Sequence, residues 1–101
     1  MLYEVTIALN PDLAAEKAKK ITEGVEGAVV KSGGKVEKVE SLGIKNLAYP
    51  VRGFSQASFG RFYLQLDSEK IGELRHQLER EPALLRVFVV KLEGGEIKSN
   101  G

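Results

Sequence analysis

The sequence has no cysteine, no tryptophan and only one histidine, His76, among its 101 residues. The lack of cysteine excludes disulfide bonds and thiolate metal sites. Carboxylates are then the main metal ligands left, and the pairs Glu37/Glu40 and Glu79/Glu81 have no companion ligands beside them in the sequence. Metal sites in proteins need several ligands in one place, so we expect no metal and no cofactor.

Groups suited to acid–base or nucleophilic chemistry are equally scarce. His76 lies off the apolar face that Leu74 and Leu78 give to a predicted helix, so its side chain is expected in solvent. No serine stands in a sequence context typical of a catalytic triad or dyad. Gly33-Gly34 precedes a strand, whereas phosphate-binding glycine loops precede a helix. We predict that the chain is not an enzyme, with no catalytic residue and no small-molecule substrate.

Long apolar runs are also missing. No stretch approaches the roughly 20 apolar residues that cross a membrane. The residues from Met1 to Glu4 show neither the basic nor the apolar region of a secretory signal. With 43% apolar and 29% charged residues, the composition is that of one ordinary globular domain. We expect no membrane contact and a location in the cytosol or inside an organelle.

Acidic residues are absent from residues 41–66, although the whole chain has 14 of them. This window holds Lys45, Arg52 and Arg61, and the other 12 of the 15 basic residues lie outside it. An acid-free segment with basic and aromatic side chains suits contact with a phosphate backbone. A solvated hairpin that happens to lack acids is an equally good interpretation of the charge alone.

Apolar periodicity predicts six elements. They are a strand at 2–9, a helix at 13–31, a strand at 35–51, a strand at 59–66, a helix at 68–80 and a strand at 84–92. Residues 52–58 are predicted to be a looser connection. The order βαββαβ with right-handed crossovers places both helices on one face of a four-stranded antiparallel sheet. We therefore predict an α+β, ferredoxin-like domain over residues 1–92, and a flexible polar tail at 93–101.

Local signals set the ends of these elements. Asp12 and Asp67 are predicted to cap the N-termini of the two helices, since a side-chain oxygen there accepts a hydrogen bond from a free backbone N–H group. Gly33 or Gly34 is expected to end the first helix in a left-handed conformation. Gly43 interrupts the second strand, where we expect a bulge.

The predicted faces of the sheet differ in character. The helix-covered face takes a purely apolar set: Val5, Ile7, Leu64, Leu66, Val87 and Val89. The other face carries aromatic, charged and polar residues: Glu4, Thr6, Phe59, Arg61, Tyr63, Gln65, Arg86, Phe88 and Val90. Aromatic rings beside arginines on an uncovered sheet favour a partner, either RNA or protein. The alternative is that these side chains merely shield the sheet.

Several segments, in their order and spacing, resemble the bacterial and organellar ribosomal protein S6 family of the small subunit. They are Tyr3-Glu4-Val5 leading to Leu9-Asn10-Pro11, residues 34–40, residues 42–51 with Leu47-Ala48-Tyr49-Pro50, and residues 85–91 with Leu85-Arg86 and Val89-Val90-Lys91. The resemblance implies a ferredoxin-like fold and a structural role in the small ribosomal subunit. It also implies binding to the central, or platform, domain of the small-subunit ribosomal RNA together with ribosomal protein S18. The expected location is the ribosome, in the cytoplasm or in an organellar matrix.

The charge distribution, the predicted sheet faces and the family resemblance together predict two sets of site residues. The predicted RNA-binding set is basic: Lys45, Arg52, Arg61, Arg86 and Lys91. The predicted contact set for the partner protein is apolar and aromatic: Leu47, Tyr49, Val51, Phe59 and Tyr63. For Tyr49 the alternative is a place in the core.

The chain departs from the family pattern at basic positions. Leu2 stands where the family often has a basic pair, and Lys45 is the one charge left in its turn before Leu-Ala-Tyr. Two other classes stay open. One is a stand-alone RRM-like RNA-binding module, whose consensus residues 58–65 do not match. The other is a ferredoxin-like enzyme such as an acylphosphatase-like domain, and the loop at Asn10 has no arginine for it.

Overall fold

The computed structural model describes residues 1–92 and confirms the predicted order of elements. These are β1 (Leu2–Leu9), α1 (Ala15–Lys31), β2 (Lys35–Val51), β3 (Phe54–Gln65), α2 (Ile71–Glu79) and β4 (Leu84–Leu92). The strands form one sheet in the order β2-β3-β1-β4, with every neighbouring pair antiparallel. The ferredoxin-like fold is therefore confirmed, while the tail predicted at 93–101 lies outside the described residues.

The main core lies between the sheet and the two helices. Strand alternation directs one face of β1, β3 and β4 inward, so Val5 and Leu64 are fully buried. The core comprises Tyr3, Val5, Ile7, Leu9, Val25, Val29, Phe62, Leu64, Leu66, Leu74, Leu78, Leu84 and Val87. The predicted inward face of each of these strands is correct. Burying such side chains stabilises the fold by roughly 1.5–3 kcal/mol each.

Both helices begin later than predicted, and neither has the predicted cap. The N-cap of α1 is Ala14 and that of α2 is Lys70, and neither makes a side-chain capping hydrogen bond. The backbone N–H of Asp12 instead donates to Asn10 Oδ1 at 2.8 Å, which is a local turn bond typical of asparagine. The prediction that Asp12 and Asp67 cap the helices is therefore wrong, because turn residues separate each aspartate from its helix.

The end of α1 follows the prediction. Gly33 has φ +85°, a left-handed conformation that glycine adopts without a Cβ clash. The Gly33 N–H donates to the Val30 carbonyl at 3.0 Å, and the Gly34 N–H donates to the Val29 carbonyl at 2.8 Å. This pair of bonds is the Schellman arrangement, which satisfies the last free carbonyls of a helix.

The connection predicted at 52–58 is wrong, because β3 already begins at Phe54. Only Arg52 and Gly53 turn the chain, with φ values of 51° and 83°. Two positive φ values are what a two-residue type I′ hairpin turn needs. The early part of β3 escaped prediction because its apolar residues, Phe54 and Ala57, are three apart and do not alternate.

The β2–β3 hairpin is irregular on its β2 side. The register shifts between Val36 and Lys38, between Ser41 and Gly43, and between Asn46 and Val51. The second shift confirms the bulge predicted at Gly43. The third leaves residues 47–50 out of the ladder, and such extra residues bend a strand and increase its twist.

The buried face of β3 leads to a first prediction. Leu64→Ala removes a fully buried core side chain, so it should lower the free energy of unfolding by roughly 2–5 kcal/mol. His76→Ala is the matched surface variant, because the His76 side chain is 80% exposed and should shift that free energy by no more than about 0.5 kcal/mol. Chemical denaturation of both variants checks this. A Leu64→Ala protein as stable as the wild type would mean that the faces of β3 are reversed.

Candidate nucleic-acid and partner interface

The helix-free face of the sheet is partly covered by the protein itself. A second, smaller apolar cluster lies there, with Ala8, Ala57 and Leu85 buried at its centre. The side chains packed against this centre come from the far end of the β2–β3 hairpin and from β3: Leu47, Val51, Phe54 and Phe59. The hairpin end, residues 47–57, therefore folds onto the sheet, and we call it the hairpin arm. The expectation of a fully uncovered face is wrong at this end.

Tyr49 of the arm reaches the opposite edge strand. The Arg86 Nη2 group donates to Tyr49 Oη at 3.4 Å, and the Arg86 guanidinium carbon lies 5.8 Å from the centre of the Tyr49 ring. Because β2 and β4 are the two outer strands of the sheet, this contact requires the arm to bend across it. Tyr49 is 62% exposed, so the alternative that placed it in the core is wrong.

The other residues predicted to contact a partner protein lie at different depths. Leu47, Val51 and Phe59 are half-buried in the small cluster, and each keeps some surface. Tyr63 is only 3% exposed, so the expectation of an exposed ring is wrong. It is flanked in register by Glu4 on one side and Lys38 on the other, and cross-strand neighbours lie within about 5.5 Å. Tyr63 has almost no surface to offer a partner.

Arg61 is engaged within the sheet. Its Nε group donates to Thr6 Oγ1 at 3.3 Å and lies 3.8 Å from Glu4 Oε1. A second carboxylate residue, Glu40, is its register partner on β2. The Arg61 side chain is 24% exposed, and the nearby carboxylate of Glu4 partly neutralises its charge. Arg61 therefore mainly links neighbouring strands of the sheet.

The other four predicted RNA-binding residues are exposed, and within residues 1–92 they form no ion pair. Lys45 pairs with Ala57, which places it on the face that carries the arm. Arg52, at the hairpin turn, and Arg86, on β4, line one shallow depression. Lys91 is opposite Tyr3 of the main core, so it lies on the other face. The structure thus gathers Arg52 and Arg86, keeps Lys45 on their side of the sheet and separates Lys91.

Sequence reasoning missed Arg75, which lines the same depression from α2. Its Nε group lies 3.5 Å from Glu79 Oε2, and the Arg75 side chain is 52% exposed. No signal in the sequence relates Arg75 to Arg52, because the two meet only through the bend of the arm.

No helix within residues 1–92 is long and apolar enough to cross a membrane. In the same range, no three side chains of the metal-binding types cluster together.

Known proteins similar to this chain are ribosomal. A family model described as Ribosomal protein S6 matches residues 2–91. Small ribosomal subunit protein bS6 of Thermus thermophilus is 35% identical over 89 residues, which cover 88% of each chain. The bS6 protein of Acidobacterium capsulatum is 31% identical over 98 residues, covering 97% of this chain and 70% of that one. The crystal structure of 30S ribosomal protein S6 from Thermotoga maritima matches with a TM-score of 0.82 at 23% identity, over 88% of this chain and 84% of that one, and it supports the fold.

The contact between the arm and β4 generates a second prediction. An exposed arginine–aromatic contact is worth about 0.5–1 kcal/mol, so Tyr49→Ala and Arg86→Ala should be non-additive by about that amount. Chemical denaturation of the wild type, both single variants and the double variant measures it. The pair Tyr49 and Arg61 is the control, because Arg61 contacts Glu4 and Thr6 instead. Additive effects at Tyr49 and Arg86 would mean that the arm does not hold β4 in solution.

Proposed function

This chain belongs to the ribosomal protein S6 family of the small ribosomal subunit, and we propose that it binds the platform domain of the small-subunit ribosomal RNA together with ribosomal protein S18. It would act there as a structural constituent without catalysis. The observation that carries the proposal is the exposed basic group on the side of the arm. Lys45, Arg52 and Arg86 present charge there without an ion-pair partner in residues 1–92.

Phosphate contact is the role proposed for the basic residues. Exposed lysine and arginine side chains that neutralise phosphates release condensed counterions, which makes binding sensitive to salt. Lys45, Arg52 and Arg86 can do so without breaking an internal pair. Arg61 and Lys91 stay in the proposed RNA-binding set, but we expect each to contribute less to phosphate binding. Arg61 is held by Glu4 and Thr6, and Lys91 lies on the other face of the sheet.

A basic partner protein fits the modest charge of this chain. The formal net charge is +1, so the protein alone neutralises few phosphates. We propose that S18 supplies most of the electrostatic attraction and that this chain supplies shape and apolar contact. The exposed Tyr49 ring and the half-buried Leu47, Val51 and Phe59 form the proposed contact surface. Leu47, Tyr49 and Val51 belong to β2, which is an edge strand of the sheet, and Phe59 belongs to the neighbouring β3.

The burial of the central-strand aromatics speaks against a stand-alone RRM-like module. Such modules stack bases on exposed aromatic rings of the sheet face. On β3 of this chain, Tyr63 is 3% exposed and Phe59 packs against the small cluster under the arm. The face therefore offers no open pair of central rings for stacking.

Salt titration is the third prediction, and it tests the RNA contacts. With S18 present, alanine variants of Lys45, Arg52 and Arg86 should each lower the slope of log affinity for platform RNA against log salt by about one. Arg61→Ala should lower it less, because Glu4 already offsets its charge. Lys19→Ala on the helix side is the control and should leave the slope unchanged. The assignment fails if Lys45, Arg52, Arg61, Arg86 and Lys91 can all be replaced without any change in slope.

The division of labour with S18 gives the fourth prediction. At about 0.15 M salt the chain alone should bind platform RNA weakly, and addition of S18 should produce a tight ternary complex. Tyr49→Ala should weaken association with S18 in the absence of RNA. His76→Ala, whose side chain is 80% exposed on α2, is the control and should assemble like the wild type. Tight RNA binding by the isolated chain would contradict this arrangement.

A further inference from the structure

We propose that Arg75 joins Arg52 and Arg86 to form a site for a single phosphate group of the RNA backbone. The proposal rests on the RNA-binding function proposed above and adds a residue to it from outside the predicted set. The three arginines come from three separate elements: the hairpin turn, α2 and β4. They line one depression, whose wall is completed by Glu79, Leu84, Leu85 and Val87.

The chemistry of the lining favours a phosphate. Arginine presents a planar fork of N–H donors that matches two phosphate oxygens at once, and it does so better than lysine. Three such forks around one depression provide more donors than a single carboxylate can accept. Arg52 and Arg86 are exposed and Arg75 is 52% exposed, which suits a backbone phosphate that protrudes from a folded RNA.

Two of the three arginines have oriented side chains before any ligand arrives. Arg86 donates to Tyr49 Oη at 3.4 Å and lies over its ring. Arg75 forms an ion pair with Glu79 at 3.5 Å, whereas for Arg52 only the backbone is constrained, by the two-residue turn in which its φ is 51°. Groups that are already ordered lose less conformational freedom on binding, so affinity rises without new contacts.

Glu79 competes with the phosphate for the N–H donors of Arg75. Its carboxylate occupies Arg75 in the unbound protein and carries the same sign of charge as the ligand. A phosphate that enters the depression must take over the Arg75 donors and accept the nearby negative charge. Removing the charge of Glu79 while keeping its shape should therefore strengthen binding, which a purely structural ion pair would not predict.

The experiment measures the affinity of the full chain with S18 for platform RNA, as a function of salt. Arg75→Ala should weaken binding about tenfold, as for loss of a charge-assisted hydrogen bond, and lower the salt slope by less than one, because Glu79 already offsets part of its charge. Glu79→Gln should tighten binding about twofold to threefold, in line with removal of one like charge near the surface. Arg75→Lys should keep the slope while recovering only part of the affinity, because it keeps the charge and loses the fork.

Arg80→Ala is the matched control, because it removes the same charge one residue beyond the end of α2 from a side chain that does not line the depression. If Arg75→Ala and Arg80→Ala behave alike while the wild type binds, this inference is overturned and the proposed function stands. If the wild type with S18 does not bind platform RNA, both are overturned. If Arg75→Ala weakens S18 binding without RNA, the depression holds a carboxylate of the partner protein, and the phosphate assignment is wrong. Chemical denaturation of Arg75→Ala shows whether the variant is folded.

Discussion

The close packing of the hairpin arm against the helix-free face is the contact on which the functional surface depends. Its centre is small: Ala8 and Ala57 are fully buried, and Leu85 fills the space beside them. Side chains as short as alanine let two strand surfaces approach closely, so a larger residue at either position would push the arm away. The register shift after Asn46 provides the bend, and the apolar contact then holds the bent arm down.

Because of this contact, arginines that are far apart in the sequence line one depression on the surface. Arg52 lies at the tip of the arm, and two strands, β3 and β1, separate β2 from β4 in the sheet. Without the bend, Arg52 would extend away from the domain as an isolated surface charge. With it, Arg52 meets Arg86 and Arg75 at one depression, and Tyr49 reaches Arg86. Apolar burial thus offsets the mutual repulsion of these arginines, which solvent also screens.

The parts of the structure that could be predicted from sequence are those governed by neighbouring residues. Alternation identified the inward faces of β1, β3 and β4, and the glycine after α1 marked where that helix ends, because both depend on local geometry. The arm could not be predicted, since the start of β3 within it, at Phe54, does not alternate, and the packing of the arm joins residues far apart in the chain. The capping predictions failed because the helices begin at Ala15 and Ile71, so that turn residues separate Asp12 and Asp67 from them.

The site shows the same limit most clearly in Arg61 and Arg86, which the sequence treats alike. Both lie on the helix-free face and both were predicted to face RNA. Arg61 forms an ion pair with Glu4 and a hydrogen bond with Thr6, both on the neighbouring strand β1. Arg86 instead has the uncharged ring of Tyr49 beside it. An aromatic neighbour orients a guanidinium without neutralising it, so it leaves the charge available to an anion. Between these two arginines, the neighbour supplied by the fold therefore determines which charge stays available to a phosphate, since Arg61 is also less exposed than the carboxylate-paired Arg75, at 24% against 52%.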